Sequence, residues 1–241
     1  MLLFYIRHGD PIYSPDQLTA LGQRQAEAVG HRLGLYGIDR IFSSTSTRAY
    51  QTALPTAEIC KKEITQLDWC HENRAWDQLT VPTASGGRTW CFYDKEIAKL
   101  FSGKEIRSYG DKWYDHPMLS QYSDIFKKGI ERIDREADAF LASLGYEHDR
   151  EKGIYKITRE NNHDRVALFA HEGFGKCFLG SVLDIPFPEA TVRFNMTHSA
   201  VTVIGFNDEG GYAVARMLTM SNDSHTYHAG LPTNYYNRIK F

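Results

Sequence analysis

The chain has 241 residues, 42% of them hydrophobic, and its 28 Lys and Arg against 30 Asp and Glu leave a net charge of −2. That balance excludes a general binder of nucleic acid or membrane surfaces, and no apolar stretch approaches the length of a bilayer-spanning helix. Four cysteines (Cys60, Cys70, Cys91 and Cys177) lack Cys-x-x-Cys spacing, which offers no thiolate metal site and fits the cytoplasm.

Taken in chain order, the elements alternate. Leu2–Ile6 reads as a buried strand ending in Arg7-His8-Gly9, and its five apolar residues are too few for a signal-peptide core. Residues 10–17 read as loop. Thr19 is an N-cap for a helix carrying Leu21, Val29 and Leu33, which Gly34 or Gly37 ends. Arg40–Phe42 is a short strand, and Ser43-Ser44-Thr45-Ser46 leads into a helix with Ala49, Ala53, Ala57 and Cys60 on one face. Ile64–Leu67 is a third strand.

Residues 70–120 lose periodicity and gather Trp, Tyr, Gly and Pro, which predicts an irregular insertion over a site. Trp69, Trp76, Trp90 and Trp113 either line that site or fill the insertion's own core. Ser123–Leu144 is a long amphipathic helix with Ile125, Ile133, Ala137, Phe140 and Leu144 inward; its run Glu131–Asp138 reads as a solvated face. Residues 146–164 hold a hairpin or excursion around Ile154–Ile157. Val166–Ala170 is a buried strand followed by His171-Glu172-Gly173 and a helix through Leu183. Ser199–Phe206 and Tyr212–Leu218 flank Asn207–Gly211 as a hairpin. The pattern predicts one α/β domain over 1–241: a three-layer α/β/α sandwich around a mainly parallel sheet, capped by the insertion. Aromatic residues of the tail (Tyr227, Tyr235, Tyr236 and Phe241) seal either a core or a partner surface, and the oligomeric state is left open.

Three strand ends carry the chemistry: Arg7-His8-Gly9, Ser43-Ser44 through Arg48, and His171-Glu172-Gly173. Parallel strands release their loops on one edge, where open α/β sheets bind ligands. Two arginines, two histidines and hydroxyls make a receptacle for a phosphoryl group, because the guanidinium fork matches phosphate oxygens and helix N-termini add N–H donors. His225 and His228 with His198 lack a carboxylate at ligand spacing, so no metal is assigned to them.

Arg7-His8-Gly9, the Leu18–Ala26 run with Gly22 and Gln25, Ser43-Ser44-x-x-x-Arg48-Ala49-x-Gln51-Thr52-Ala53 and the late His171 together resemble the histidine phosphatase superfamily, in its phosphoglycerate mutase-like branch. The resemblance is dense over residues 1–57 and looser over 165–206. It implies that His8 is a nucleophile forming a phosphohistidine, that Arg7, Arg48 and His171 clamp the phosphate oxygens, and that neither metal nor other cofactor is required. A carboxylic acid must protonate the leaving oxygen; in this branch it is Glu72, and in the acid-phosphatase branch it is Glu172. The Leu18–Ala26 motif favours Glu72, with Glu172 on the phosphate side at the helix start. Where the family often has Thr and Asn after Arg-His-Gly, Pro11 and Ser14 stand here; Ser14 keeps a donor for phosphate and Pro11 has none. That departure, and the missing long Arg-Tyr-Gly segment of glycolytic mutases, point to a phosphatase acting on a small phosphorylated metabolite. The alternatives are a mutase and a non-catalytic phospholigand-binding regulator.

Overall fold

The computed structural model describes residues 1–233. Leu2–Arg7 (β1) sends Leu3 and Tyr5 into one apolar core and Phe4 and Ile6 into another, the alternation expected of a strand buried on both faces. Pro11–Tyr13 (β2) and Asp16–Leu18 (β3) pair as a small hairpin where a loop was expected. Ala20–Tyr36 (α1) starts on Thr19, whose hydroxyl accepts from the Gly22 N–H, and stops at Gly37 with φ 71°. Arg40–Ser44 (β4) passes through the N-cap Ser46 into Thr47–Cys60 (α2), and Ile64–Leu67 (β5) closes the sheet edge.

The insertion is more regular than its sequence suggests. It contains Glu72–Leu79 (α3), Thr80–Pro82 (β6) paired with Arg88–Trp90 (β7), Lys95–Ser102 (α4), and 3₁₀ turns that include Ile106–Asp115. Helices of eight residues complete barely two turns, too few for an apolar repeat to register. Trp113 lies in the apolar core and Trp69 and Trp90 pack against it, while Trp76 and Trp90 also line the site.

Ser123–Ser143 (α5) buries Ile133, Ala137 and Phe140 as expected, but Ile125 is 39% exposed and Phe126 takes the inward place. Tyr146–Asp149 (β8) and Ile154–Ile157 (β9) form the expected hairpin. Arg165–Ala170 (β10), Glu172–Leu183 (α6) and Phe187–Arg193 (α7) follow. Val201–Phe206 (β11) does turn back, but its return is split. Tyr212–Ala213 (β12) joins β9 in a side sheet, and Ala215–Asn222 (β13) pairs with β11. Ser224–His228 (α8) ends the described elements, with Tyr227 exposed; Tyr235, Tyr236 and Phe241 lie outside the described residues.

The six-stranded sheet has the order β13-β11-β1-β10-β4-β5. β1, β10, β4 and β5 run parallel, and β11 runs antiparallel to both its neighbours. Helices α1 and α2 cover one face, where Val29, Leu33 and Ala53 meet Phe4, Ile6 and Phe169. Helices α5 and α6 and the insertion cover the other, giving the three-layer sandwich. In register, Arg7 stands beside Ala170 and Phe169 beside Ser43, so the ends of β1, β10 and β4 open at one place. Among the described residues no helix is long and apolar enough to cross a membrane.

Candidate active site

His8 follows β1, with its backbone N–H bonded to the Ala170 carbonyl and its own carbonyl accepting from Ser199. Its Nδ1 donates to the Gly9 carbonyl at 2.7 Å, which leaves the lone pair on Nε2. Burial first, then the neighbouring His171, Arg7 and Arg48, hold its pKa well below the ordinary histidine value, so the ring is neutral. Gly9 lies so close to the start of α1 that a Cβ there would sit 2.6 Å from the Gly22 carbonyl oxygen. Three polar side chains of the sequence motifs fasten these turns. Thr52 accepts from the Gly9 N–H at 3.0 Å, Gln25 from Asp10 at 2.8 Å and Gln51 from Leu18 at 2.8 Å.

Arg7 ends β1 and is held on three sides: by an ion pair with Glu172 at 2.8 Å, a bond to His198 Nε2 at 2.9 Å, and the Met196 carbonyl. Arg48, in the first turn of α2, pairs with Asp16 at 2.7 Å and donates to His171 Nδ1 at 3.1 Å. The Nε atoms of both arginines are buried without a hydrogen-bond partner, and both residues line the cavity.

His171 belongs to the cluster but stands behind the cavity wall. Its Nε2 donates to Ser44 Oγ at 2.9 Å and its Nδ1 accepts from Arg48, so both ring nitrogens are engaged inside the protein. In this arrangement His171 holds Arg48 and is not among the residues lining the cavity. Burial and then Arg48 depress its pKa, which keeps it neutral.

Glu72 is the first residue of α3, where His71 provides the N-cap. One carboxyl oxygen accepts from the Phe174 N–H at 3.0 Å, and the other lies 3.3 Å from His171 Nδ1. Burial raises its pKa to about 7 against the pull of the Phe174 N–H and the two arginines.

Glu172 lines the cavity and pairs with Arg7. Burial would raise its pKa, yet Arg7 and Lys176 hold it below the usual carboxylate range, and an ionised carboxylate has no proton to offer. Its place is to anchor Arg7, with Lys176 at 3.3 Å and the Tyr93 hydroxyl on its other oxygen. Ser14 is exposed at the turn of the β2–β3 hairpin and does not line the cavity; Tyr13 and Asp16 of that hairpin do. His225 bonds Ser199 at 2.9 Å and His198 meets Arg7, so those histidines do not converge on a common point.

Together these groups surround a cavity of about 540 Å³. One ligand atom each from His8, Glu72 and His171 lie within 4.8 Å of one another, a spacing a metal ion could bridge. The donor set argues for an anion instead, because Arg48 already occupies the His171 lone pair and a second guanidinium stands beside it. Asp16, His198 and Lys176 were not read from the sequence as site residues. They lie 32, 191 and 4 positions from the groups they hold, and only the Lys176–Glu172 pair, one helical turn apart, left a local signal.

Fold and site thus define a class: an α/β protein whose parallel strand ends gather a neutral histidine, two arginines and a carboxylic acid around one cavity. Residues 3–87 match the model of the histidine phosphatase superfamily (branch 1), and solved structures of similar fold cover most of the chain's length. A mycobacterial glucosyl-3-phosphoglycerate phosphatase is 20% identical, with a TM-score of 0.57 over 91% of this chain and 98% of its own. Its complex with inorganic phosphate gives 19% identity and a TM-score of 0.58 over 93% and 98% of the two chains. A phosphoserine phosphatase from Entamoeba histolytica, in complex with 3-phosphoglyceric acid, is 18% identical with a TM-score of 0.56, over 93% of this chain and 98% of its own. At such identities the likeness is one of fold. No curated protein matches the sequence.

Proposed function

We propose that the protein is a phosphomonoester hydrolase that acts on a small phosphorylated molecule, without a metal, through a covalent phosphohistidine at His8. The observation that carries this reading is the state of His8: a neutral ring, fixed by its Nδ1–H on the Gly9 carbonyl, that lines one cavity with two arginines. The phosphoryl group lies between Arg7 and Arg48, whose bonds to its oxygens strengthen as charge moves in the transition state. Nε2 attacks phosphorus in line while the bond to the alcohol oxygen breaks. Glu72, protonated near neutral pH, gives its proton to that oxygen and the alcohol leaves.

The carboxylate so formed takes a proton from a water molecule as the water oxygen attacks phosphorus. The P–N bond breaks, inorganic phosphate departs, and both His8 and Glu72 return to their starting states. His171 acts as a positioning residue, holding Arg48 and facing Glu72. The phosphatase neighbours of the same fold support the reaction class and leave the choice of ester to the pocket's own chemistry.

His8→Ala should lower turnover of p-nitrophenyl phosphate by at least about a thousandfold. The wild-type protein, quenched during turnover of a labelled ester, should retain label that survives alkali and is released by acid. Unchanged turnover in the variant overturns the reading.

A further inference from the structure

The cavity's charge is nearly spent before a substrate's alcohol portion is considered. Of its lining, the only lysine or arginine side chains among the described residues are Arg7 and Arg48, and each already faces a carboxylate: Glu172 at 2.8 Å and Asp16 at 2.7 Å. Lys176 is buried behind the wall, under Phe92 and Tyr93, and is taken up by Glu172. A phosphoryl dianion can draw on the two guanidinium groups, but a second anionic group on the same ligand would find no further lysine or arginine in the lining, and the carboxylates of Asp16 and Glu172 beside it.

Beyond the arginines the wall changes character. Trp76 and Trp90 meet edge to face, with ring centroids 5.2 Å apart and planes at 88°, which makes a rigid corner. Trp90 is fixed from behind by stacking on Phe92 at 5.3 Å and 12°, and from the side by the backbone of Gly173, where no Cβ would fit. Asn73 and His71 add hydrogen-bonding groups nearby, and burial followed by Arg48 lowers the His71 pKa so that it too is uncharged. A cavity of about 540 Å³ is in the range of roughly 300–1,000 Å³ that holds whole small molecules rather than a lone ion.

We propose that the preferred ester carries no anionic group besides its phosphate, and that its alcohol part presents a flat apolar face to the corner formed by Trp76 and Trp90. This rests on the phosphatase reading and names its substrate class: phosphate monoesters of uncharged aromatic or similarly planar alcohols, in preference to those of hydroxy acids. Trp76 and Trp90 set this specificity, and the pairing of each arginine with an acid excludes the carboxylate-bearing alternatives.

Non-hydrolysable phosphonates separate recognition from leaving-group reactivity. By calorimetric titration of the whole protein, benzylphosphonate should bind at least tenfold more tightly than methylphosphonate, and 3-phosphonopropionate no better than methylphosphonate. Trp76→Leu should reduce the benzyl-to-methyl ratio about tenfold, and Trp90→Phe, which keeps the stack on Phe92, should reduce it less. Equal or tighter binding of the carboxylate-bearing phosphonate, or a ratio insensitive to both substitutions, overturns the specificity assignment while leaving the phosphatase reading intact. Failure of every phosphonate and of inorganic phosphate to bind would sink both.

Discussion

Glu72 is the residue whose surroundings say most about its task. A carboxyl group with a pKa near 7 carries its proton when an ester arrives and can lose it to activate water afterwards. The phosphorylation step therefore needs the protonated form, so kcat/KM should fall as pH rises through about 7, and Glu72→Gln should abolish that limb together with most of the activity. His8 adds no competing limb near neutrality, since its pKa lies well below 6.5. The same shift has an opposite consequence for stability. A carboxyl group whose pKa rises from 4.5 to about 7 on folding makes the folded state less stable as pH climbs through that window, by up to about 3 kcal/mol at about 1.4 kcal/mol per unit. Glu72→Gln keeps an acceptor for Phe174, so urea unfolding at pH 8 should find the variant more stable than the wild type by roughly 1–3 kcal/mol.

At the scale of elements, the site depends on three helix starts and one hairpin meeting with little clearance. Gly173, at the start of α6, lies under Trp90 and would place a Cβ 2.7 Å from Glu72 Oε1. Gly173→Ala should displace both, costing about 1–3 kcal/mol of stability and more than tenfold in kcat/KM, measurable by urea unfolding and steady-state kinetics. The sequence announced the strand ends well. Arg7, His8, Arg48 and His171 are set by strand registers that follow from buried apolar runs. Glu72 required the resemblance, because nothing local to Trp69–Asn73 marks a carboxyl group for burial. Ser14 misled for a simple reason: a hydroxyl three residues past a hairpin's start cannot reveal which way the turn points, and Tyr13 and Asp16 face the cavity instead. The insertion stayed illegible because its helices are short and its hairpin is only three residues a side.

For the whole molecule, the far ends of the packed layers are tied by an ionic cluster away from the cavity. His148 of β8 has no exposed side-chain surface and bonds Asp138 of α5 at 2.9 Å and Asp184, just past α6, at 3.0 Å, while Arg150 clasps Asp138. The acidic run of α5 was expected to be solvated, yet Asp134 and Asp138 are half-withdrawn from water by these partners. Burial works against the His148 cation, but the two carboxylates outweigh it and raise its pKa above 6.5. A raised histidine pKa contributes stability that is complete below the unfolded value and lost as pH rises through the folded one. Thermal unfolding of wild type and His148→Gln should accordingly differ most below about pH 6.5, with the variant less stable, and the difference should shrink as pH rises above it.

The strand order also governs when this protein can come into being during translation. β10 lies between β1 and β4, so the two earlier strands have no sheet to share until residues 165–170 have left the ribosome. At roughly 5–20 residues per second that wait lasts seconds, with the edges of β1 and β4 that later flank β10 unpaired. Until the late strand arrives, the amino-terminal third carries a nucleophile and its arginines as separate pieces on a nascent chain, and no phosphate ester can find them assembled.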